Sequence, residues 1–344
     1  MNFIAKRYLK VFLFLAIGLF ILWLITRNQD MGAIWQELKG ANFWWVALAI
    51  FCGFLSHLLR AIRWNQLIRP IGEPPSTLTT FYALMTGYLA NLAVPRLGEI
   101  TRCGTLARYS KTPFNSVAGT VVAERVFDVV SLLILIFLTV VVQFSLMKDF
   151  LYLYVYSPLL ELVRGNMMLL VILGIAGVTA FLLLIKYFMG VNSSTPGLPG
   201  KIKRQLLGFV KGLLSLTKVR GKVVFFLLSI GIWGLYYLTV YLCFFALDGT
   251  SHLGVAAGFT LLALGSLGIV APVPGGIGTY HFITIATLTE LYFVSSEAAT
   301  SYAYISHAAQ MVIIIILGGF SWLALTFRKR ETSLKQERAV VTES

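Results

Sequence analysis

Six runs of about 20 or more mostly apolar residues constrain this chain more than any other feature. They lie at about 8–26, 42–62, 114–145, 166–188, 223–247 and 297–327. A helix needs ~20 such residues, rising ~1.5 Å each, to cross the ~30 Å hydrocarbon core of a bilayer. Inside that core the backbone must satisfy its own hydrogen bonds, and a continuous apolar run does so as a helix. The expected fold is therefore an all-α polytopic membrane protein. Composition agrees: 58% of residues are hydrophobic and 12% are charged, against ~25% charged in soluble domains. This excludes an ordinary soluble enzyme, a disordered chain and a collagen-like chain. The formal charge of +14 would suggest nucleic acid in a soluble protein. Here it is read as membrane topology, with no nucleic-acid partner.

The start of the chain reads as a retained anchor. Lys6, Arg7 and Lys10 precede an apolar run from Val11 to Ile25, and Thr26-Arg27-Asn28-Gln29-Asp30 follows without a small-x-small cleavage site.

Two further apolar stretches are broken in the middle. One runs from Leu78 through Val94-Pro95-Arg96-Leu97-Gly98-Glu99 to Tyr109. The other runs from Leu253 through Pro272-Val273-Pro274-Gly275-Gly276-Ile277-Gly278 to Phe293. Positive charge decides whether they cross or return. If both are re-entrant hairpins, 22 of the 28 lysines and arginines lie on the cytosolic side and 4 outside, with Arg96 and Arg125 in the membrane region. Letting only the first stretch cross would send the eight basic residues between Lys186 and Lys222 outside. The hairpin arrangement puts both termini in the cytosol of a multi-pass protein in the cytoplasmic (inner) membrane.

It also reveals a repeat. About 8–145 reads helix, helix, hairpin, helix from the inside; about 166–327 reads the same from the outside. Pro95 and Pro274 lie 179 residues apart, near half of the 344. Paired interruptions in two halves mark an inverted repeat. The expectation is about six spanning helices and two broken hairpins in one membrane domain, 1–330, followed by a short charged cytosolic tail, 331–344.

Non-helical backbone at membrane depth must line a cavity or be buried in protein. The structural breaks are Pro95, Gly98, Pro272 and Pro274. Thr279 is a candidate N-cap for the second returning arm. Gly275, Gly276 and Gly278 either cradle an anion on free N–H groups or form a packing turn. In the first hairpin Asn91, Arg96, Glu99 and Arg102 carry polarity into the membrane, which is costly unless paired or hydrated. Arg96 and Arg102 are candidates to hold a lipid phosphate, with Asn91 and Glu99 orienting them; Arg96 and Glu99 pairing with each other is the plain alternative. Thr112 and Pro113 suit the start of the next helix. There Glu124 and Asp128 share a face at i and i+4 and call for a cation, which Arg125, Arg96 or Arg102 can supply. Arg60 and Arg63, beside Trp64, read as snorkelling residues at a cytosolic helix end. The stretch Ile202–Leu214, punctuated by lysines and Arg204, reads as an amphipathic segment on the inner leaflet.

No P-loop, HExxH or GxSxG occurs, and His57, His252, His281 and His307 have no metal spacing. Cys52, Cys103 and Cys243 give no disulfide framework. No metal and no cofactor are expected.

Taken together, Arg60-x-x-Arg63-Trp64, Asn91-x-x-x-Pro95-Arg96-x-Gly98-Glu99-x-x-Arg102, Glu124-Arg125-x-x-Asp128 and Pro274-Gly275-Gly276-x-Gly278 resemble the lysylphosphatidylglycerol synthase transmembrane region, or flippase-like, family over about 8–327. The resemblance implies a membrane protein that moves lipid or lipid-linked headgroups between leaflets. Large members carry a soluble aminoacyl-transferase domain; this chain stops at Ser344 and is not expected to make aminoacylated lipid. Many relatives have an acid after the glycine turn, where this chain reads Thr279-Tyr280-His281.

The functional expectation is a flippase or transporter, not an enzyme. Its cargo is a membrane phospholipid or lipid-linked intermediate. Its groove lies between the hairpins and is lined by Asn91, Arg96, Glu99, Arg102, Glu124, Arg125, Asp128, Gly275, Gly276, Gly278 and His281. The rivals are a membrane-embedded transferase using Glu124 or Asp128 as base, and a non-transporting partner of a separate synthetase. A homo-oligomer is compatible with all three.

Overall fold

The computed structural model describes residues 29–94, 97–110, 112–152, 214–270 and 273–343, with scattered positions among 16–27 and 156–210. The apolar runs at 8–26 and 166–188 and the amphipathic stretch after Ile202 fall largely outside the described residues; Pro95, Arg96 and Pro272 fall wholly outside. Among the described residues the regular elements are all helical.

The helices are α1 (Met31–Gly40), α2 (Phe43–Ile68), α3 (Thr77–Ala93), α4 (Leu97–Tyr109), α5 (Phe114–Val142), α6 (Phe144–Leu151), α7 (Lys222–Leu242), α8 (Val255–Val270), α9 (Thr279–Tyr292) and α10 (Ser296–Glu343). The segment 331–344, expected as a tail, continues α10 as helix to Glu343. Short polar side chains start several of them. The Asp30 carboxylate accepts from Gly32 N and Ala33 N, and the Asn42 side chain accepts from Trp44 N.

Among the described residues four segments are long and apolar enough to cross a membrane: Phe43–Ile68, Phe114–Val142, Lys222–Ala246 and Ser296–Phe327. Their outer faces expose Val129, Leu133 and Phe137 on α5, Phe226 and Ile230 on α7, and Ile316 and Phe320 on α10. In water such a belt would drive aggregation; in lipid it matches its solvent. The chain is a multi-pass membrane protein.

Between the spans sit two helical hairpins. Their arms α3, α4, α8 and α9 have 17, 13, 16 and 14 residues, so at ~1.5 Å per residue each is only ~20–26 Å long. In the first hairpin Gly98 N donates to Asn91 Oδ1 at 2.6 Å, and a Cβ on Gly87 would stand 2.9 Å from both the Gly98 carbonyl and Arg102 Cβ. In the second, Thr279 Oγ1 donates to the Gly268 carbonyl at 2.7 Å, and farther along Tyr292 OH donates to Thr260 Oγ1 at 2.8 Å. Both pairs run antiparallel with backbones nearly touching, the close approach that small residues permit in membranes.

The contacts have the symmetry of an inverted repeat. The spans α2 and α7, which precede the hairpins, lie antiparallel: Arg63 Nη1 donates to Ser229 Oγ at 3.1 Å, Arg60 Nη1 to Tyr236 OH at 2.9 Å, and Gly53 faces Thr239. Each hairpin is then clasped by the last span of the other half. α3 packs on α10, with the Tyr82 and Phe320 rings 6.1 Å apart. α8 meets the end of α5, where Gln143 Nε2 donates to Thr260 Oγ1 at 2.6 Å.

Two expected caps are corrected. Pro113, without a side-chain cap, stands before α5, while Thr112 is buried. Gly278, at φ 83°, precedes α9, and only glycine takes that conformation freely. The Thr279 hydroxyl is spent tying the two arms together.

An inverted repeat turns its hairpins toward opposite faces of the membrane. Single cysteines at Arg108, at the end of α4, and at Phe293, just after α9, should therefore react with an impermeant maleimide from opposite sides. Cys52, Cys103 and Cys243 are buried and leave little background. Labelling of both positions from one side would refute the inversion.

Candidate functional site

The polar centre of the molecule is assembled from α2, α4 and α5. Glu124 and Asp128 stand one turn apart in the middle of α5, as their spacing predicts. The cations that meet them come mainly from α2. Arg60 Nη2 bridges Glu124 Oε1 at 2.6 Å and Asp128 Oδ2 at 2.7 Å. Arg63 Nη2 reaches Asp128 Oδ1 at 2.6 Å and Glu124 Oε1 at 3.5 Å. From α4, Arg102 Nη1 donates to Glu124 Oε2 at 3.1 Å. Glu124 and Arg63 are 0% exposed and Arg102 is 1% exposed.

This corrects the reading of Arg60 and Arg63 as snorkelling residues. They face inward because α7 and α5 pack over them. Ser229 and Tyr236 of α7 each accept a bond, and the Phe127 and Phe225 rings lie 5.8 and 5.6 Å from the Arg63 guanidinium. Trp64 is no interfacial anchor either: it is fully buried, its ring carries the Arg102 guanidinium at 5.0 Å, and its Nε1 donates to Thr120 Oγ1 at 3.0 Å. The signal in the sequence was the match between two arginines at i and i+3 and two carboxylates at i and i+4, all in apolar helices.

Other expected residues go elsewhere. Arg125 does not neutralise Glu124 or Asp128; it turns the other way and donates to Glu99 Oε1 at 2.9 Å, in a pair that is 41% and 34% exposed. Glu99 still sits in the first turn of α4, where the helix dipole favours it. Asn91 spends its Oδ1 holding the hairpin tip and makes no bond to Arg102; Arg96 lies outside the described residues.

The second hairpin's tip uses two of its three glycine N–H groups, those of Gly276 and Gly278, for the turn itself. Gly276 N, Ile277 N and Gly278 N donate to Val273 O, Pro274 O and His281 Nδ1 respectively. Gly275 faces Leu92 and Met311, and its carbonyl accepts from His307 Nε2 at 2.9 Å. His281 is buried with its ring 4.7 Å from that of His307. The starts of α4 and α9 lie 182 residues apart, as do those of α5 and α10, and that step carries Glu99 onto His281 and Arg125 onto His307, so the Glu99–Arg125 ion pair of one half corresponds to the His281–His307 ring pair of the other. One half thus has fixed charges where the other has imidazoles.

The chemistry of the cluster follows from its inventory. Among the described residues it holds three guanidinium groups against two carboxylates, a surplus of one positive charge in a low-dielectric setting. Both Glu124 oxygens are engaged by arginines. Arg102 Nε and Nη2 and Arg63 Nε are buried without a hydrogen-bond partner among the described residues. Buried donors left unmade are costly, and they mark where an acceptor belongs.

The comparisons with known proteins agree with this architecture. The family model "Lysylphosphatidylglycerol synthase TM region" matches residues 11–318. The chain is similar to UPF0104 membrane protein PH1989 of Pyrococcus horikoshii, 23% identical over 94% of this chain and 98% of that one. A UPF0104 membrane protein of Methanothermobacter thermautotrophicus is 27% identical over 74% and 78%. The glycosyltransferase AglD of Haloferax volcanii is 24% identical over 88% of this chain, which spans only 52% of AglD. No solved structure matches. With 308 consecutive residues inside the family model, four spans and the paired hairpins, this chain belongs to the lysylphosphatidylglycerol synthase transmembrane region family.

Proposed function

We propose that this protein moves an anionic lipid or lipid-linked headgroup between the leaflets of the cytoplasmic membrane, with both termini in the cytosol. The observation that carries the reading is Arg102: a buried guanidinium on a hairpin arm, with one nitrogen bonded to Glu124 and two unspent. A phosphate oxygen is the acceptor that suits such a fork.

In the conformation described, Glu124 closes the cluster. Gating of the first hairpin against the last span of its own half draws α4 away from α5, and the headgroup phosphate takes the place of Glu124 on Arg102 while the acyl tails stay in lipid. Arg60 and Arg63 keep the two carboxylates neutralised through the exchange. No catalytic role falls to Glu124 or Asp128 in this scheme. The likeness to a relative named as a glycosyltransferase supports a lipid-linked sugar as cargo, with a separate transferase supplying it.

The test uses the purified chain in liposomes that contain a headgroup-labelled phosphatidylglycerol, read by accessibility to an impermeant quencher. The wild-type protein is expected to equilibrate label between leaflets, and Arg102→Gln to slow this at least about tenfold, the loss of one charge-assisted phosphate contact. Circular dichroism and gel filtration check that the variant is folded. Equal rates in folded Arg102→Gln and wild type would reject the assignment.

A further inference from the structure

Away from the ion cluster, where the end of α2 abuts the start of α7, the surface opens into a cavity of about 680 Å3. Such a volume lies within the ~300–1,000 Å3 range of ligand pockets. Arg69, Lys218 and Arg220 line it together with Gln66 and Val224. None of the three cations has a carboxylate partner among the described residues. Two stretches of chain deliver them: the C-cap of α2, and the 3₁₀ turn Leu214–Lys218 with the short connection that leads into α7.

The backbone adds to the field. α7 is 21 residues long and opens at Gly221, which offers no side-chain cap. Its first turn leaves N–H groups without helical partners and carries the positive end of the dipole. The opposing end of α2 does not cancel this. Two of its terminal carbonyls are already taken, Asn65 O by Arg69 N, and Ile68 O by Ile71 N and Gly72 N. Ordinary basic residues at a membrane surface point outward separately; these converge on one concavity with a helix N-terminus at its wall.

We propose that this cavity is a second anion site, distinct from the Arg102 cluster, that takes a phosphate-bearing anion. The phosphate seats on the α7 N-terminus between Lys218 and Arg220, with Arg69 across from them. The same chemistry fits a phospholipid headgroup entering from the adjoining leaflet and a free phosphate arriving from solution.

The full chain is reconstituted in phosphatidylcholine nanodiscs and probed with labelled phosphatidylglycerol, with and without millimolar inorganic phosphate. Wild type is expected to retain phosphatidylglycerol, and the Lys218→Gln/Arg220→Gln double variant to lose affinity about tenfold, as expected for two basic residues at a lipid surface. Both positions lie outside the core, so the variant should keep the parental melting temperature. Retention that resists inorganic phosphate supports a lipid occupant, and retention displaced by it supports a free one. Equal binding by variant and wild type in both arms overturns the site. Arg102→Gln serves as the control: its binding here should be intact even if transport fails, so the two proposals fail separately.

Discussion

Glu124→Ala is expected to destabilise the folded chain by about 3–5 kcal/mol, the range for removing one partner of a buried ion pair. Arg60 and Arg63 would then share Asp128, and the buried Arg102 would keep no carboxylate partner among the described residues. The loss is not that of a single hydrogen bond, because Glu124 receives Arg60 at 2.6 Å and Arg102 at 3.1 Å. Asp128→Asn should cost less: its carboxylate side chain is 15% exposed and touches only Arg60 and Arg63. Denaturant unfolding in detergent micelles measures both. A Glu124→Ala variant within about 1 kcal/mol of the parent, below the ordinary cost of a stranded buried charge, would mean that water enters the cluster and does the work here assigned to the carboxylate.

Gly98→Ala should be comparably damaging through shape alone. A methyl group there is driven into the Gly87 carbonyl of the facing arm and lies 2.5 Å from Asn91 Cγ. A backbone oxygen cannot swing aside, so the hairpin has to splay, and the Asn91–Gly98 bond that closes its tip is lost with it. Overpacking of this kind costs about 1–3 kcal/mol or more. Gly104→Ala, on the same helix with nothing within 4 Å of its would-be Cβ, is the matched control, expected to be neutral or stabilising. Thermal melting of the two variants side by side separates close packing from a general intolerance of α4 to alanine.

Length and polarity made the spans readable, since a bilayer imposes both. The hairpins were readable for a related reason: Pro95 and Pro274 break runs too short to cross twice, and the distribution of positive charge favours return over crossing. The ion cluster was legible only from one side. Glu124 and Asp128 announced a need for cations, yet Arg60 and Arg63 near a helix end have the appearance of residues reaching for water. What turns them inward is α7, more than 150 residues away in sequence, and local pattern carries no trace of that packing. The glycines at the second tip left two readings open, a cradle and a packing turn. Three glycines suggest a cradle, but whether their N–H groups are free depends on partners such as His281 and Val273, which only the folded turn supplies. Asn91 likewise had a polar side chain in the right place and a backbone amide close enough to consume it.

The unequal polar content of the two halves has a consequence for any cycle they perform. In a machine made of two identical, oppositely inserted halves, the inward-open and outward-open shapes are related by a two-fold rotation in the membrane plane and equally populated at rest. Here the buried guanidinium and carboxylate groups Arg102, Glu124 and Asp128 occupy one half, while the uncharged Thr284, Ser306 and Gln310 stand at the matching places in the other. Opening the first half breaks ionic bonds; opening the second does not. On the proposed cycle the two shapes therefore differ in energy, and the ion cluster would act as a latch with a preferred closed side, released by a negatively charged visitor that replaces Glu124.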